Sequence, residues 1–241
     1  MIRLLEQFDG SGLRRSHYSE AILSHLEAYG AGFDFCRFYE VAEKKRVAVI
    51  SVFNGSMTAD FTEGVKITRA VCREIAEFAD FWQPYSIELP RELAQPRGFS
   101  GYNSRERVFF DVPPAESSDG IAAPDPETVF KTVYSDGGDY GLWLTDTLRR
   151  VNMNLSRLYG YESAVLTVRF MSGGSAYITD VATPLKDRGR GYAERLLGGA
   201  SRLLAEQGLS AYLAAPPESA GYYRKIGCPE FASDRIFIKK Q

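Results

Sequence analysis

Two arginines and two glycines alternate at Arg188-Gly189-Arg190-Gly191, with Tyr192-Ala193 following, and this short run concentrates more chemistry than any other part of the chain. It joins a strand-like segment, Ala176 to Thr183, to an amphipathic helix that begins around Gly191. Alternate glycines let a backbone turn tightly without Cβ clashes, so successive N–H groups can converge on one point. A helix that starts there leaves its first N–H groups without intrahelical partners, and its macrodipole puts partial positive charge at the same end. The two guanidinium groups add cationic charge. The run therefore reads as a cradle for a multiply charged phosphate, and its ligand as a nucleotide-like cofactor. A solvated glycine turn ahead of a surface helix is the plainer reading of the same residues.

Two other phosphate loops do not fit. A P-loop needs glycine, four residues, then Gly-Lys-Ser or Gly-Lys-Thr, and the chain has no such run. A dinucleotide fingerprint starting at Gly189 needs a small residue where Glu194 stands, and a large parallel sheet beyond it, for which residues 194–241 are too few. Downstream, Ser210 to Ala215 reads as a strand, Pro216-Pro217 breaks it, and Glu218 to Ile226 reads as a short helix ending at Gly227. That helix carries Tyr222-Tyr223-Arg224-Lys225-Ile226-Gly227. Strand, Arg-x-x-Gly-x-Ala, amphipathic helix, strand and aromatic-Tyr-x-Lys-x-Gly together resemble, in order and spacing, the GNAT superfamily of acyl-CoA-dependent N-acyltransferases. The motifs are specific over roughly the last third of the chain, and the likeness extends more loosely back to Glu127.

The resemblance implies a mixed, mostly antiparallel sheet flanked by helices in the C-terminal half. It also implies transfer of an acetyl or other acyl group from acetyl-CoA to a primary amine of a small molecule or a protein. The main chain of Arg188, Gly189, Arg190, Gly191, Tyr192 and Ala193 would hold the coenzyme A diphosphate, with Ala193 small enough for close approach of the helix. Val181, Ala182 and Thr183 would pair through their main chain with the pantetheine arm, in a gap where the strands before and after the loop diverge. Tyr223 matches the family's tyrosine that protonates the departing thiolate. Pro216 stands where the family commonly has an asparagine, so that cofactor contact is missing. The general base is less defined. Asp180 is the acid on the strand before the loop, but the family's usual glutamate position falls on Tyr177, and strand parity would put Asp180 on the opposite face. A non-catalytic acyl-CoA-binding or sensing module, with the loop but without the acid/base groups, is the alternative.

Composition narrows the classes further. The chain has 241 residues, 44% of them hydrophobic, enough for one large domain or two modest ones. Lys plus Arg number 29 against 31 Asp plus Glu, so the net charge of -2 gives no footprint of a nucleic-acid binder. Cys36, Cys72 and Cys228 are widely spaced with no Cys-x-x-Cys pair, which argues against a disulfide framework or a zinc knuckle. No apolar run approaches the ~20 residues that span a bilayer. The expectation is a cytoplasmic protein with no metal, nucleic-acid or membrane partner. His17 and His25 lie eight apart on one helix and read as packing or surface residues.

The positioning elements follow from periodicity. Residues 113–126, rich in Pro, Ser and Asp, read as a linker between an N-terminal α/β domain at 1–112 and the acyl-CoA-binding domain at 127–241. The N-terminal half reads as a helix from His17 to Tyr29, strands at Phe35 to Val41 and Arg46 to Phe53, and a helix from Lys66 to Phe81. Strands near Ser86 to Leu89 and Arg107 to Val112 follow. A second hairpin turn is possible at Asn54-Gly55. This succession resembles a degenerate GNAT copy, which would shape the substrate cleft. Residues 60–66 stand where its anion loop would be; their one glycine and two acids predict no cofactor there. Beyond the linker, Thr128 to Tyr134 reads as a strand and Gly141 to Leu155 as a helix. Leu158 to Tyr161, Ala164 to Phe170 and Ala176 to Thr183 read as a meander, and Phe231 to Ile238 as the strand that completes the C-terminal sheet. Trp82, Tyr85, Tyr102 and Trp143 are candidates to line an amine cleft by cation–π contact.

Overall fold

In the computed structural model, residues 1–94, 99–135 and 137–240 are described. The chain divides into two compact units, residues 1–107 together with 233–241, and residues 108–232.

The first unit opens with β1 (Ile2–Leu4) and α1 (His17–Tyr29), whose N-cap Ser16 accepts from the Ser19 amide. An antiparallel meander follows, of β2 (Cys36–Ala42), β3 (Arg46–Phe53) and β4 (Ser56–Phe61). The β3–β4 turn is Asn54-Gly55, both at positive φ (47° and 77°), as a tight hairpin with right-handed strand twist requires. After α2 (Arg69–Trp82) the chain returns as β5 (Ser86–Glu88), parallel to β4. The core lies under α2, where Val71, Ile75 and Ala79 pack with Val41, Ile50, Met57 and Ile87.

The second unit repeats the plan. A meander of β7 (Arg157–Tyr161), β8 (Ala164–Ser172) and β9 (Ser175–Ala182) leads through α5 (Tyr192–Ala205) to β10 (Ser210–Ala215), which lies parallel to β9. Leu196, Leu197, Ala200 and Leu204 of α5 bury against Leu166, Val168, Ala176 and Ile178. Strand alternation sends Val165 to the other face, onto Val129 of α3 (Pro126–Val133) and Trp143 of α4 (Tyr140–Asn152). The last helix is α6 (Pro217–Lys225). The mixed, mostly antiparallel sheet with flanking helices expected from the sequence is thus present.

Three expectations need correction. The segment 128–134 is helical, because Asp125 caps Thr128 N at 3.0 Å and Pro126 supplies the pre-set φ of a first helical turn. Read as the end of a linker, Asp125-Pro126 hid a helix start. The final strand does not complete the second unit's sheet. In β11 (Glu230–Lys239), Phe237 pairs with Ile87 of β5 in the first unit, whereas β10 takes as neighbour β6 (Tyr102–Asp111), with Leu213 opposite Phe110. β11 thus lies beside β5, and β6 beside β10, a long-range choice that alternation alone does not encode. Finally, residues 113–124 do not hang free. Ala115 N donates to Gly198 O at 2.9 Å, and Ala122 and Gly160 exchange both main-chain bonds.

That segment presses on α5 where the helix has no side chains. A Cβ at Gly199 would stand 2.6 Å from Ile121 Cγ1, and one at Gly198 would stand 3.0 Å from Ala115 Cβ. Gly199→Ala is expected to destabilise by roughly 1–2 kcal/mol despite the better helix propensity of alanine, because overpacking costs more than that gain. Urea unfolding checks this, and Ile121→Ala in the same chain should restore most of the loss.

Candidate functional site

The β9–β10 ladder runs from Ser175 opposite Ser210 to Ile178 opposite Leu213 and stops there. Both strands continue, β9 to Ala182 and β10 to Ala215, held by their outer neighbours β8 and β6. The strands therefore part after Ile178, and Thr179 to Ala182 present main-chain groups with no ladder partner on the β10 side. The cause of the parting is local. Asp180 has φ 55°, and the β8–β9 register slips between Thr167 opposite Thr179 and Val165 opposite Ala182. One extra residue on β9 makes a bulge, which bends the strand away from β10.

The chain leaves β9 through Thr183, a 3-10 turn at Leu185–Asp187, and then the arginine–glycine run. Gly189 and Gly191 both adopt left-handed backbone, at φ 80° and 78°, and a Cβ on either would meet nothing within 4 Å. Gly191 is the N-cap of α5 and brings no capping side chain. Among the described residues, the amides of Gly189, Arg190, Gly191, Tyr192, Ala193 and Glu194 have no acceptor; the first helical bond is Arg195 N to Gly191 O, 3.1 Å. Arg188 Nε donates to the Thr183 carbonyl at 3.1 Å, which fixes the loop to the end of β9. Arg190 is exposed and lies 3.6 Å from Asp187. The first unit differs at the corresponding helix: α2 begins at Thr68, whose own hydroxyl accepts from Val71 N at 3.3 Å.

Tyr223 projects from α6, half-buried, its ring 5.5 Å from that of Phe110. Burial, with smaller contributions from Tyr222 and Cys228, pushes its phenol up to about 12. A phenol with that value keeps its proton throughout the neutral range and is poised to donate rather than to accept. Tyr222 is exposed, and Pro216 is the N-cap of α6 with no side-chain hydrogen bond.

The structure gathers Val181, Ala182, Thr183, Arg188 to Ala193 and Tyr223 within this one unit. Val181 packs on the α5 side of the sheet and Ala182 on the α3–α4 side, and Thr183 Oγ1 is buried without a partner among the described residues. The parity argument for Asp180 fails, because alternation counted from Tyr177 cannot be carried through a bulge. Asp180 Oδ1 accepts from the Tyr134 hydroxyl at 3.3 Å. Tyr177 is buried between Phe170 and Tyr212, at ring distances of 5.1 Å, and belongs to the core. His17 faces Glu88 at 3.5 Å, and His25 Nδ1 lies 2.9 Å from Ser51 Oγ. The three cysteines are buried. Sequence reasoning missed Tyr134, because a strand was expected there. No helix among the described residues is long and apolar enough to cross a membrane.

The site is thus two parallel strands that part after Ile178 beside a glycine-framed helix start. At the level of sequence no protein-family model matches the chain, and no match was found among the curated proteins. Comparison of structures is decisive for the fold. A GCN5-related N-acetyltransferase from Sphaerobacter thermophilus superposes with a TM-score of 0.62 at 16% identity, over 92% of this chain and 85% of the other. One from Kribbella flavida gives 0.60 at 14%, over 93% and 94%. A tandem GNAT protein from the clavulanic acid biosynthesis pathway gives 0.56 at 11%, over 94% and 89%. The chain has the GNAT fold, over essentially its whole described length.

Proposed function

We propose that the protein transfers an acyl group, acetyl foremost, from its coenzyme A thioester to a primary amine on a small molecule or a protein. One observation carries this reading: six uncommitted amides at the start of α5 lie beside the place where β9 and β10 part. A diphosphate matches such a donor set, since it brings several acceptors and negative charge to the positive end of a helix. Acetyl-CoA supplies an activated carbonyl and a thiol leaving group. The chain's own residues do the rest. Amides from Gly189 to Ala193 bind the diphosphate, the Arg188 amide being held by the Leu185 carbonyl at 3.4 Å; the main chain of Val181 and Ala182 aligns the arm, and Tyr223 donates a proton to the sulfur as the C–S bond breaks. Asp180 receives the proton that the amine must shed before or as it attacks. Holding amine and thioester together supplies a further large part of the rate. The likeness to a tandem GNAT and the repeated strand plan support reading residues 1–107 as a second, degenerate GNAT copy without this cradle.

The reading is tested by following free thiol release from acetyl-CoA over a broad panel of primary amines. Turnover with any of them, dependent on the cradle, supports it; binding of acetyl-CoA with no thiol released over the whole panel favours the acyl-CoA-sensing alternative, to which the missing contact at Pro216 also points. Tyr223→Phe is expected to lower kcat by roughly 10²–10⁴, the usual range for a general acid, with KM for acetyl-CoA nearly unchanged. Burial holds the Tyr223 value above the ordinary phenol, so its proton stabilises the fold below about pH 10 and that stability is lost as pH rises through about 12. Tyr223→Phe should flatten that alkaline loss in urea unfolding, a readout independent of turnover.

A further inference from the structure

Asp180 differs from the carboxylates that the fold buries. Glu40, Asp60, Asp146 and Asp234 each face an arginine, namely Arg46, Arg14, Arg150 and Arg107. Asp180 is half-buried on a left-handed bulge, forms no ion pair among the described residues, and accepts a long bond from Tyr134. A carboxylate drawn partly out of water without a cation costs free energy, and left-handed backbone at a non-glycine residue adds to it. A cationic ligand would offset both.

Its surroundings specify what kind of cation. Tyr134 stands at the edge of a group of four rings: it lies 4.9 Å from Phe130 and 6.4 Å from Trp143, and Tyr140 stacks on Trp143 at 6.4 Å and 21°. Phe130 and Tyr140 are 5.0 Å apart. Trp143 is 8% exposed, and its indole N–H is buried with no acceptor among the described residues. A buried donor left unmatched is uncommon and calls for a partner. Tyr140, at the rim of the group, is exposed.

Resting on the acyl-transfer reading above, we propose that Asp180 and the Tyr134–Tyr140–Trp143 rings form the acceptor subsite, and that the acceptor is an arylalkylamine. Its ammonium pairs with Asp180 and the face of Tyr134, its ring lies on Tyr140 and Trp143, and a polar substituent of that ring takes the indole N–H. Acidic amines are disfavoured, because their carboxylate would face Asp180. The test uses the full chain carrying Trp82→Phe. Trp82 packs on Tyr39 in the first unit, and its removal leaves Trp143 as the only tryptophan. Tyramine, n-hexylamine and the neutral alcohol analogue of tyramine are titrated while Trp143 emission is followed, with and without Asp180→Asn. The expected result is a tyramine Kd at least about tenfold below those of the other two, with Asp180→Asn erasing the advantage over the alcohol. Equal affinities, or a tyramine preference untouched by Asp180→Asn, overturn the assignment. Calorimetry with acetyl-CoA on the same proteins separates the two readings. Retained acetyl-CoA binding without amine preference sinks the acceptor alone, and tyramine binding without acetyl-CoA binding keeps the amine site and sinks acyl transfer.

Discussion

Gly191→Glu loses acetyl-CoA binding by at least about a hundredfold, measured by isothermal titration against the wild type. Two effects add. The glycine sits at φ 78°, where an L side chain is strained by roughly 1 kcal/mol, so the loop relaxes away from the arrangement that exposes its amides. The new carboxylate then competes for those amides and repels a diphosphate at the positive end of α5. The fold should survive, because a Cβ at Gly191 meets nothing within 4 Å and residue 191 has no core neighbours to displace. A melting temperature lowered by no more than about 4 °C therefore accompanies the loss. Gly191→Ala separates the terms, since it carries the strain without the charge, and should cost only about tenfold. Undiminished binding in Gly191→Glu would mean that the run is a glycine turn and nothing more.

Asp234→Ala is expected to destabilise the chain by about 3 kcal/mol, toward the low end of what breaking a buried ion pair costs. Asp234 is 6% exposed and accepts from Arg107 at 3.0 and 2.7 Å and from the Tyr18 hydroxyl at 2.7 Å. Its removal takes away this acceptor from the phenol and one carboxylate from Arg107, whose bond to Glu88, at 2.8 Å, remains. Burial, with the negative charge of Asp234, raises the Tyr18 value well above the ordinary phenol, while Arg107 and His17 hold Glu88 well below the usual carboxylate range despite its burial. Glu88 therefore stays charged and continues to hold Arg107, which keeps the cost from reaching its upper limit. Urea unfolding gives the number, and a double-mutant cycle with Arg107→Met isolates the pair. A loss under about 1 kcal/mol would mean that the network is solvated and contributes little.

Much of the fold was legible because local signals agreed with the final structure. The helix read from His17 to Tyr29 is α1 with the same bounds, and the aromatic and β-branched residues from Arg46 to Phe53 mark β3. Asn54-Gly55 marked a turn, although the strand after it, Ser56 to Phe61, went unassigned, because Asp60 and Phe61 fell in the stretch 60–66 read as a loop. The glycine-framed start of α5 was readable for the same local reason, since left-handed glycines before a helix act through the main chain within a few residues. What stayed hidden depends on distant partners. The bulge at Asp180 exists because β8 and β9 slip by one residue, and no pattern within β9 announces it. Tyr134 reaches Asp180 from α3, 46 positions away. The exchange of β6 and β11 is equally silent, since either strand alternates well enough for either sheet.

That exchange constrains how the protein can be made. Domains usually fold in order of synthesis, at about 5–20 residues per second. Here β5 is finished at Glu88 while its neighbour, around Phe237, waits for the whole second unit, an interval on the order of ten seconds at that speed. Through that interval β5 presents a bare strand edge, the kind of surface on which chains associate. A nascent chain released before Ser233 carries that edge permanently, so premature termination late in the message yields an aggregating product rather than a slightly shortened folded protein, and chaperone demand should concentrate on this window of translation.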